Sequence, residues 1–341
     1  MSAAALDEQY DVVVVGGGAA GLAGAVALAR MRRSVLVVDA GQPRNAPADG
    51  VHNLLGREGT LPRELVAAGR AELAGFGGTV VEGRVASLER SSGEGEPLRF
   101  AVVLEDGRTT TARRLLLAHS GTDVLPPVPG LADLWGSRVL HCPFCHGWEV
   151  RGRAVAVLST GPMTAHAATL WRNVSDRVVV LSHTGPDVDA AQRGQLEAAG
   201  VEFVDGEVAA VEPLAGERQG DGGGVRVELA SGAALEVAFV VAASQVRIDT
   251  ALTHALGVEV TDVEVMGSVA ATGAVVVDPV GATSVAGVWA AGNAAAPMAT
   301  VPAVAAAGMQ AGAAMTMDLA HEDLAAAAAA VRDVELAGAA R

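Results

Sequence analysis

The stretch His141-Cys142-Pro143-Phe144-Cys145-His146-Gly147-Trp148 carries the residues best suited to chemistry. Its two cysteines are the only ones among 341 residues, and a histidine flanks each. Thiols at this spacing can close a tight disulfide, help to bind a metal, or sit in a core as two small hydrophobes. A structural zinc takes four donors in a tetrahedron. His141, Cys142, Cys145 and His146 are too crowded to converge on one ion, and there is no second cysteine pair. No metal is expected. The inert-core reading leaves the two imidazoles unexplained. A Cys-x-x-Cys pair favours a thiolate of low pKa, and adjacent histidines lower it further or accept its proton. Thiol redox chemistry therefore uses these residues best. Cys142 and Cys145 are the candidate redox pair. His146 is the candidate base, because an imidazole titrates near neutrality and can take protons from a dithiol.

A redox pair needs an electron carrier, and the start of the chain supplies a site for one. Asp11-Val12-Val13-Val14-Val15 is a continuous apolar run, the pattern of a buried parallel strand. Gly16-Gly17-Gly18-Ala19-Ala20-Gly21 follows, and Leu22 to Arg30 reads as a helix. Gly16-x-Gly18-x-x-Gly21 thus lies between strand and helix, as a dinucleotide fingerprint requires. Gly16 permits the turn, Gly18 admits a pyrophosphate to the backbone, and Gly21 lets the helix pack closely. A second strand, Ser34 to Val38, ends in Asp39, placed to hold a ribose hydroxyl. The bland reading is a glycine-rich turn of any α/β protein; the strand before and the helix after argue for a bound dinucleotide.

Length and composition bound the rest. The chain has room for two domains. Half of its residues are apolar, it has 42 glycines, aromatics are 3 %, and the net charge is −15. So acidic a chain repels phosphate backbones and anionic lipid, which sets nucleic acid and membrane aside as partners. Residues 1–10 lack a basic start and long apolar run, and no apolar stretch has spanning length. Two cysteines make no disulfide scaffold, so a reducing, cytoplasmic location is expected.

Residues 42–63 read as loop. Arg44, His52 and Asn53 fall there, with solvated loop residues as the bland reading. Val80 to Leu88, Leu98 to Leu104 and Arg114 to Ala118 read as strands, with Asp106-Gly107 as a hairpin turn. After a proline-rich boundary at 126–130, a second α/β unit begins. It comprises a strand Arg153 to Leu158, a turn 159–164, a helix Ala165 to Arg172 and a strand Arg177 to Leu181. Its fingerprint is damaged. Ser159 and Thr164 stand where glycines belong, a proline follows Gly161, and no acid or arginine ends the second strand. A nicotinamide nucleotide should bind there poorly or not at all. Val225 to Leu229 and Leu235 to Ala242 read as strands. Val288 to Ala291 is a short strand ending at Gly292-Asn293, residues 302–318 form a helix, and the alanine-rich tail after His321 is helical.

The fingerprint at 16–21, Cys-x-x-Cys at 142–145 and Gly-Val-Trp-Ala-Ala-Gly-Asn at 287–293 together resemble the low-molecular-weight thioredoxin reductase family over about residues 10–318. That resemblance implies an α/β fold of two Rossmann-like dinucleotide-binding domains. The FAD domain would be split between residues 1–121 and 251–341, with the cysteine-bearing, NAD(P)-like domain, 122–250, inserted between. It implies FAD held by Gly16, Gly18, Ala19, Ala20, Gly21, Asp39, Arg44, His52, Val85, Gly292, Asn293, Thr300 and Val301, and a homodimer. His-Cys-Pro-Phe-Cys-His-Gly-Trp-Glu is similar to the branch of flavin-dependent dithiol oxidases that close disulfides in natural products such as gliotoxin and holomycin. On that likeness Cys142 meets a small-molecule dithiol, Cys145 sits against the flavin, and O2 takes the electrons as hydrogen peroxide. The alternatives are an NAD(P)H-dependent thioredoxin or disulfide reductase and a non-enzymatic flavin redox sensor. Four positions depart from the reductases. His146 replaces an acid, Asn293 replaces an aspartate, and His119-Ser120 replaces Thr-Gly. The last has no explanation in the sequence.

Overall fold

The computed structural model describes residues 6–93, 95–214 and 223–339. Residues 1–5, part of the segment searched for a secretory signal, lie outside them. The valine run forms β1 (Gln9–Val15), parallel to β2 (Val35–Asp39) on one side and to the strand Thr109–Leu117 on the other. Its side chains alternate between two cores. Val13 and Val15 enter one, Val12 and Val14 the other. Burial on both faces is why the run is continuously apolar rather than alternating.

The sheet runs β3 (Thr79–Glu82), β2, β1, Thr109–Leu117, Phe100–Leu104, Val85–Arg90, and Val288–Ala290 joins Thr109–Leu117 in parallel. One sheet therefore holds residues from both ends of the chain. The expected strand Val80 to Leu88 is two strands broken at Gly83, φ 156°. β3 runs parallel to β2, whereas Val85–Arg90 turns to pair antiparallel with Phe100–Leu104. Asp106-Gly107 turns the next hairpin, with Leu104 N–H donating to Arg108 O at 2.9 Å.

The middle of the chain builds a second parallel sheet, Glu202–Val204, Arg177–Leu181, Ala154–Leu158, Phe239–Val241 and Val139–Leu140, beside an antiparallel three-stranded one. The expected strand Leu235 to Ala242 divides between these sheets at Ala238. The chain enters this unit on Gly121–Val124 and leaves it on Gln245–Ile248, which pair antiparallel. With Val260–Val265 and Ser268–Val275 they form a four-stranded sheet that the sequence reading did not anticipate.

The terminal helix, Val301–Ala339, packs on α1 (Ala19–Arg30) almost backbone to backbone. A Cβ on Gly308 would collide with Ala20 O, one on Gly312 would lie 2.6 Å from Gly24 O, and one on Gly24 2.8 Å from Gly308 O. Arg113 and Arg114 of the strand Thr109–Leu117 pin the helix farther along through Asp318, Glu322 and Asp323. These contacts fix the amino end of α1, where the glycine turn lies. No helix among the described residues is long and apolar enough to cross a membrane.

Candidate active site

Val139–Leu140 is a buried strand that delivers the chain to Cys142, which is extended at φ −102°, ψ 117°. Pro143 then starts a single helical turn, Pro143–His146, where its fixed φ is already helical. The N–H groups of Cys145 and His146 both donate to Cys142 O at 3.1 Å. Gly147 ends the turn, and a Cβ there would strike Pro143 O. Both thiols are free and partly buried. The S–H of Cys145 donates to Cys142, and the N–H groups of Cys145 and Phe144 add to it. Together they outweigh burial and hold the Cys142 thiol at about 7. Cys145 is pushed up, first because it is the donor, then by burial and by the charge on Cys142; Arg44 opposes this. Of the two, Cys142 is the thiol that ionises near neutrality, and Cys145 keeps the shared proton.

His146 lies one position beyond. Both of its ring nitrogens are buried without a partner. Burial lowers its pKa, with Glu149 opposing, so it is a neutral imidazole with a lone pair to offer. His141 points one ring nitrogen at Ala242 O, 3.3 Å away, and burial lowers its pKa too. Phe144 and Trp148 are 67 % and 72 % exposed beside the thiols, with the Arg151 guanidinium 4.1 Å from the Trp148 ring.

The loop after β2 clamps this turn. Asn53, in the left-handed region at φ 60°, donates its side-chain amide to Phe144 O at 2.6 Å. His52 has one ring nitrogen 2.6 Å from Glu58 and the other 3.6 Å from Glu149. Arg44 grips Asp123 with two nitrogens, at 2.8 and 2.6 Å, and donates a third hydrogen bond to Pro297 O. It thereby joins the loop to the linker strand and to the turn before the terminal helix. Sequence reading assigned Asn53 no role, and its tie to Phe144 crosses 91 positions.

At the glycine turn, Gly16 has φ 103°, and a Cβ on it would meet Ala118 O at 2.6 Å. A Cβ on Gly21 would strike Gly16 O, while the space before Gly18 is open. Gly18 caps α1 without a side chain, so the N–H groups at Ala19 and Ala20 face that space uncapped. Gly292, φ 75°, packs against Ala20, where a Cβ would lie 2.7 Å from the alanine's. Asn293 next to it donates its amide to the carbonyls of Ala296, Pro297 and Ala299. Those three acceptors call for a donor, which gives a physical reason for asparagine over a charged aspartate. They draw in the turn that leads to Thr300, whose carbonyl accepts from Val304, and to Val301 at the helix start. Asp39 accepts from Gly17 N at 3.1 Å and from Arg70 at 2.5 Å, leaving lone pairs for a ribose hydroxyl. Arg70, on α2 (Pro62–Gly75), gave no signal in sequence, because a single arginine on a helix reads as surface. Val85 opens its strand across from Leu104, away from the thiols in sequence and pairing.

Residues present here fit a dinucleotide. The cradle before Gly18 is open, the helix end is uncapped, and Arg70 Nε and both nitrogens of His119 are buried with no partner. The corresponding turn in the second unit keeps one glycine, Gly161, where a Cβ would meet only Ser268 Oγ at 3.7 Å, and its two outer positions carry side chains. Ser159 and Thr164 hydroxyls bond each other at 2.9 Å, and Thr164 also donates to Gly161 O at 2.8 Å. Gly185 packs on Ser159, its N–H bonded to Ser159 O at 2.9 Å. At the strand end, His183 accepts from Val208 N and Ser182 donates to Asp205.

The profile of the pyridine nucleotide-disulphide oxidoreductases matches residues 10–312. A thioredoxin reductase of Leptosphaeria maculans, sirT, is 30 % identical over 331 residues, covering 93 % of this chain and 96 % of that protein. Another, tcpT of Claviceps purpurea, is 34 % identical over 181 residues, 51 % of this chain and 55 % of that one. The crystal structure of HlmI superposes with a TM-score of 0.85 at 37 % identity, over 98 % of this chain and 100 % of HlmI.

Proposed function

The chain belongs to the pyridine nucleotide-disulphide oxidoreductase family, and on that premise we propose that it is an FAD-dependent oxidase of small-molecule dithiols, acting as a homodimer with O2 as acceptor. The observation that carries this reading is the contrast between the two nucleotide turns. The first has three glycines, open space before Gly18 and an uncapped helix end, while in the second Ser159 and Thr164 stand in place of the outer glycines and spend their hydroxyls on each other. Electrons then have an entry at the thiols and none from a nicotinamide.

Bound at the first turn, FAD would take an electron pair from the cysteine pair and pass it to oxygen. Gly16, Gly18 and Gly21 would shape its site, the Ala19 and Ala20 N–H groups would hold its diphosphate, and Asp39 would hold its ribose. In the oxidised pair, one substrate thiolate attacks Cys142 Sγ, breaking the Cys142–Cys145 bond and forming a mixed disulfide. The second substrate thiolate attacks the substrate sulfur of that bond, closing the product disulfide and expelling Cys142 as thiolate. A thiol of pKa about 7 leaves readily, so the depressed value at Cys142 serves this step. His146 accepts a proton from the attacking thiol. The sum is dithiol plus O2 giving disulfide plus hydrogen peroxide.

The test mixes holoprotein with dithiothreitol under nitrogen. The flavin should bleach; a flavin left oxidised by the dithiol would overturn the reading. The base has its own test. His146→Ala should slow oxidation about a hundredfold near pH 7, the lower end for a lost general base. The defect should shrink towards pH 9, where substrate thiols ionise unaided. In the parent protein, activity should fall only below the usual histidine range, since His146 must be neutral and burial lowers its pKa. A uniform loss at every pH would make His146 a packing residue.

A further inference from the structure

His119 directly follows the strand Thr109–Leu117 and the contact of Ala118 with Gly16; a Cβ on Gly16 would lie 3.0 Å from His119 N. Both of its ring nitrogens are shut off from water and without a hydrogen-bond partner. An unpaired buried polar group costs stability, and each one in a folded protein calls for an explanation. Burial lowers the pKa of His119 and keeps the ring neutral, with the backbone of Asp249, just past the linker strand Gln245–Ile248, opposing the shift. A neutral imidazole has one N–H and one bare lone pair. The N–H is the group that a carbonyl can take. The lone pair is left, and it needs an O–H or N–H donor.

Position narrows what that donor is. Leu117 is in register with Val15 of β1 and with Ala290, so His119 stands at the carboxyl ends of three adjacent parallel strands. Ligands of doubly wound sheets lie across such ends. Asp39 marks the β2 side, where the adenosine ribose belongs, and the amino end of α1 marks the diphosphate. His119 is one strand farther from Asp39, on the side where a bound FAD would continue beyond its diphosphate. A diphosphate has no hydrogen to donate at neutral pH, and the stretch between diphosphate and ring is the ribityl chain, which bears hydroxyls.

We infer that His119 is a cofactor-binding residue whose bare ring nitrogen accepts a hydrogen bond from a ribityl hydroxyl of FAD. This rests on FAD being the cofactor. It also accounts for a histidine where related reductases carry Thr-Gly.

Apoprotein titrated with FAD and, separately, with ADP tests it, because ADP shares the adenosine diphosphate half and lacks the ribityl chain. His119→Leu should weaken FAD about tenfold, the loss of one buried hydrogen bond, and leave ADP binding unchanged. His119→Gln, whose amide oxygen can accept, should recover most of the FAD affinity. The melting temperature of the His119→Leu apoprotein should not drop, because no protein hydrogen bond is removed. Equal weakening of FAD and ADP would mean that His119 only supports the Gly16 turn. Unchanged affinity for both would remove it from the site. Parent apoprotein that fails to bind FAD would instead refute the cofactor, a result distinct from either.

Discussion

Cys142→Ser should abolish dithiol oxidation and at the same time make Cys145 easier to ionise. In the parent protein Cys145 keeps its proton because it donates to the Cys142 thiolate, because it is buried, and because that thiolate repels a second charge. Serine removes the charge, and the nearby Arg44 guanidinium then favours the anion. With Cys145 against the flavin, as the resemblance to the dithiol oxidases implies, its lone thiolate should give a broad long-wavelength absorption band. Cys145→Ser should behave differently. The serine O–H can replace the S–H donor to Cys142, and the backbone N–H groups at positions 145 and 144 remain. The Cys142 thiolate should still attack an added disulfide, forming a mixed disulfide and expelling the other sulfur as thiolate, and the variant should show no such band. Turnover should fall by about three orders of magnitude or more in both, since the two thiols act as a unit. A band in Cys145→Ser and none in Cys142→Ser would exchange their roles.

NADPH should reduce the flavin far more slowly than a dithiol does. In an open glycine turn, backbone N–H groups meet the pyrophosphate. Here Ser159 and Thr164 replace two of the glycines and bond each other, with Ser159 only 2 % and Thr164 5 % exposed. The second strand ends at Ser182-His183, tied to Asp205 and Val208, with no arginine for a 2′-phosphate. Two lost hydrogen bonds to a charged group, at about 1.5–3 kcal/mol each, amount to about two to four orders of magnitude in affinity. Stopped-flow mixing with micromolar NADPH under nitrogen measures this. Rapid bleaching would restore the reductase reading, and S159G/T164G should move the protein in that direction.

The parts legible in sequence were those set by neighbours in the chain. β1, α1, β2 and the Gly16–Gly21 turn follow from an apolar run, a glycine spacing and an acid, all within about thirty residues, and the cysteine turn needs only six. What escaped depends on partners far along the chain. Nothing near Asn53 says that it will hold Phe144 O, and nothing near Arg70 says that it will face Asp39. The breaks at Gly83 and Ala238 were run together because both flanking segments are apolar and only strand pairing separates them. The amide donor role of Asn293 became visible only once the turn 296–299 folded back onto it.

The passage of electrons from a dithiol through Cys142 and Cys145 to oxygen is tested most directly by stoichiometry during aerobic turnover of the holoprotein with excess dithiothreitol. Oxygen consumed, hydrogen peroxide formed and cyclic disulfide formed should rise together in equal amounts, and all three should stop in Cys142→Ser. Disulfide formation that continues in that variant, or turnover that requires NADPH and forms no peroxide, would contradict it.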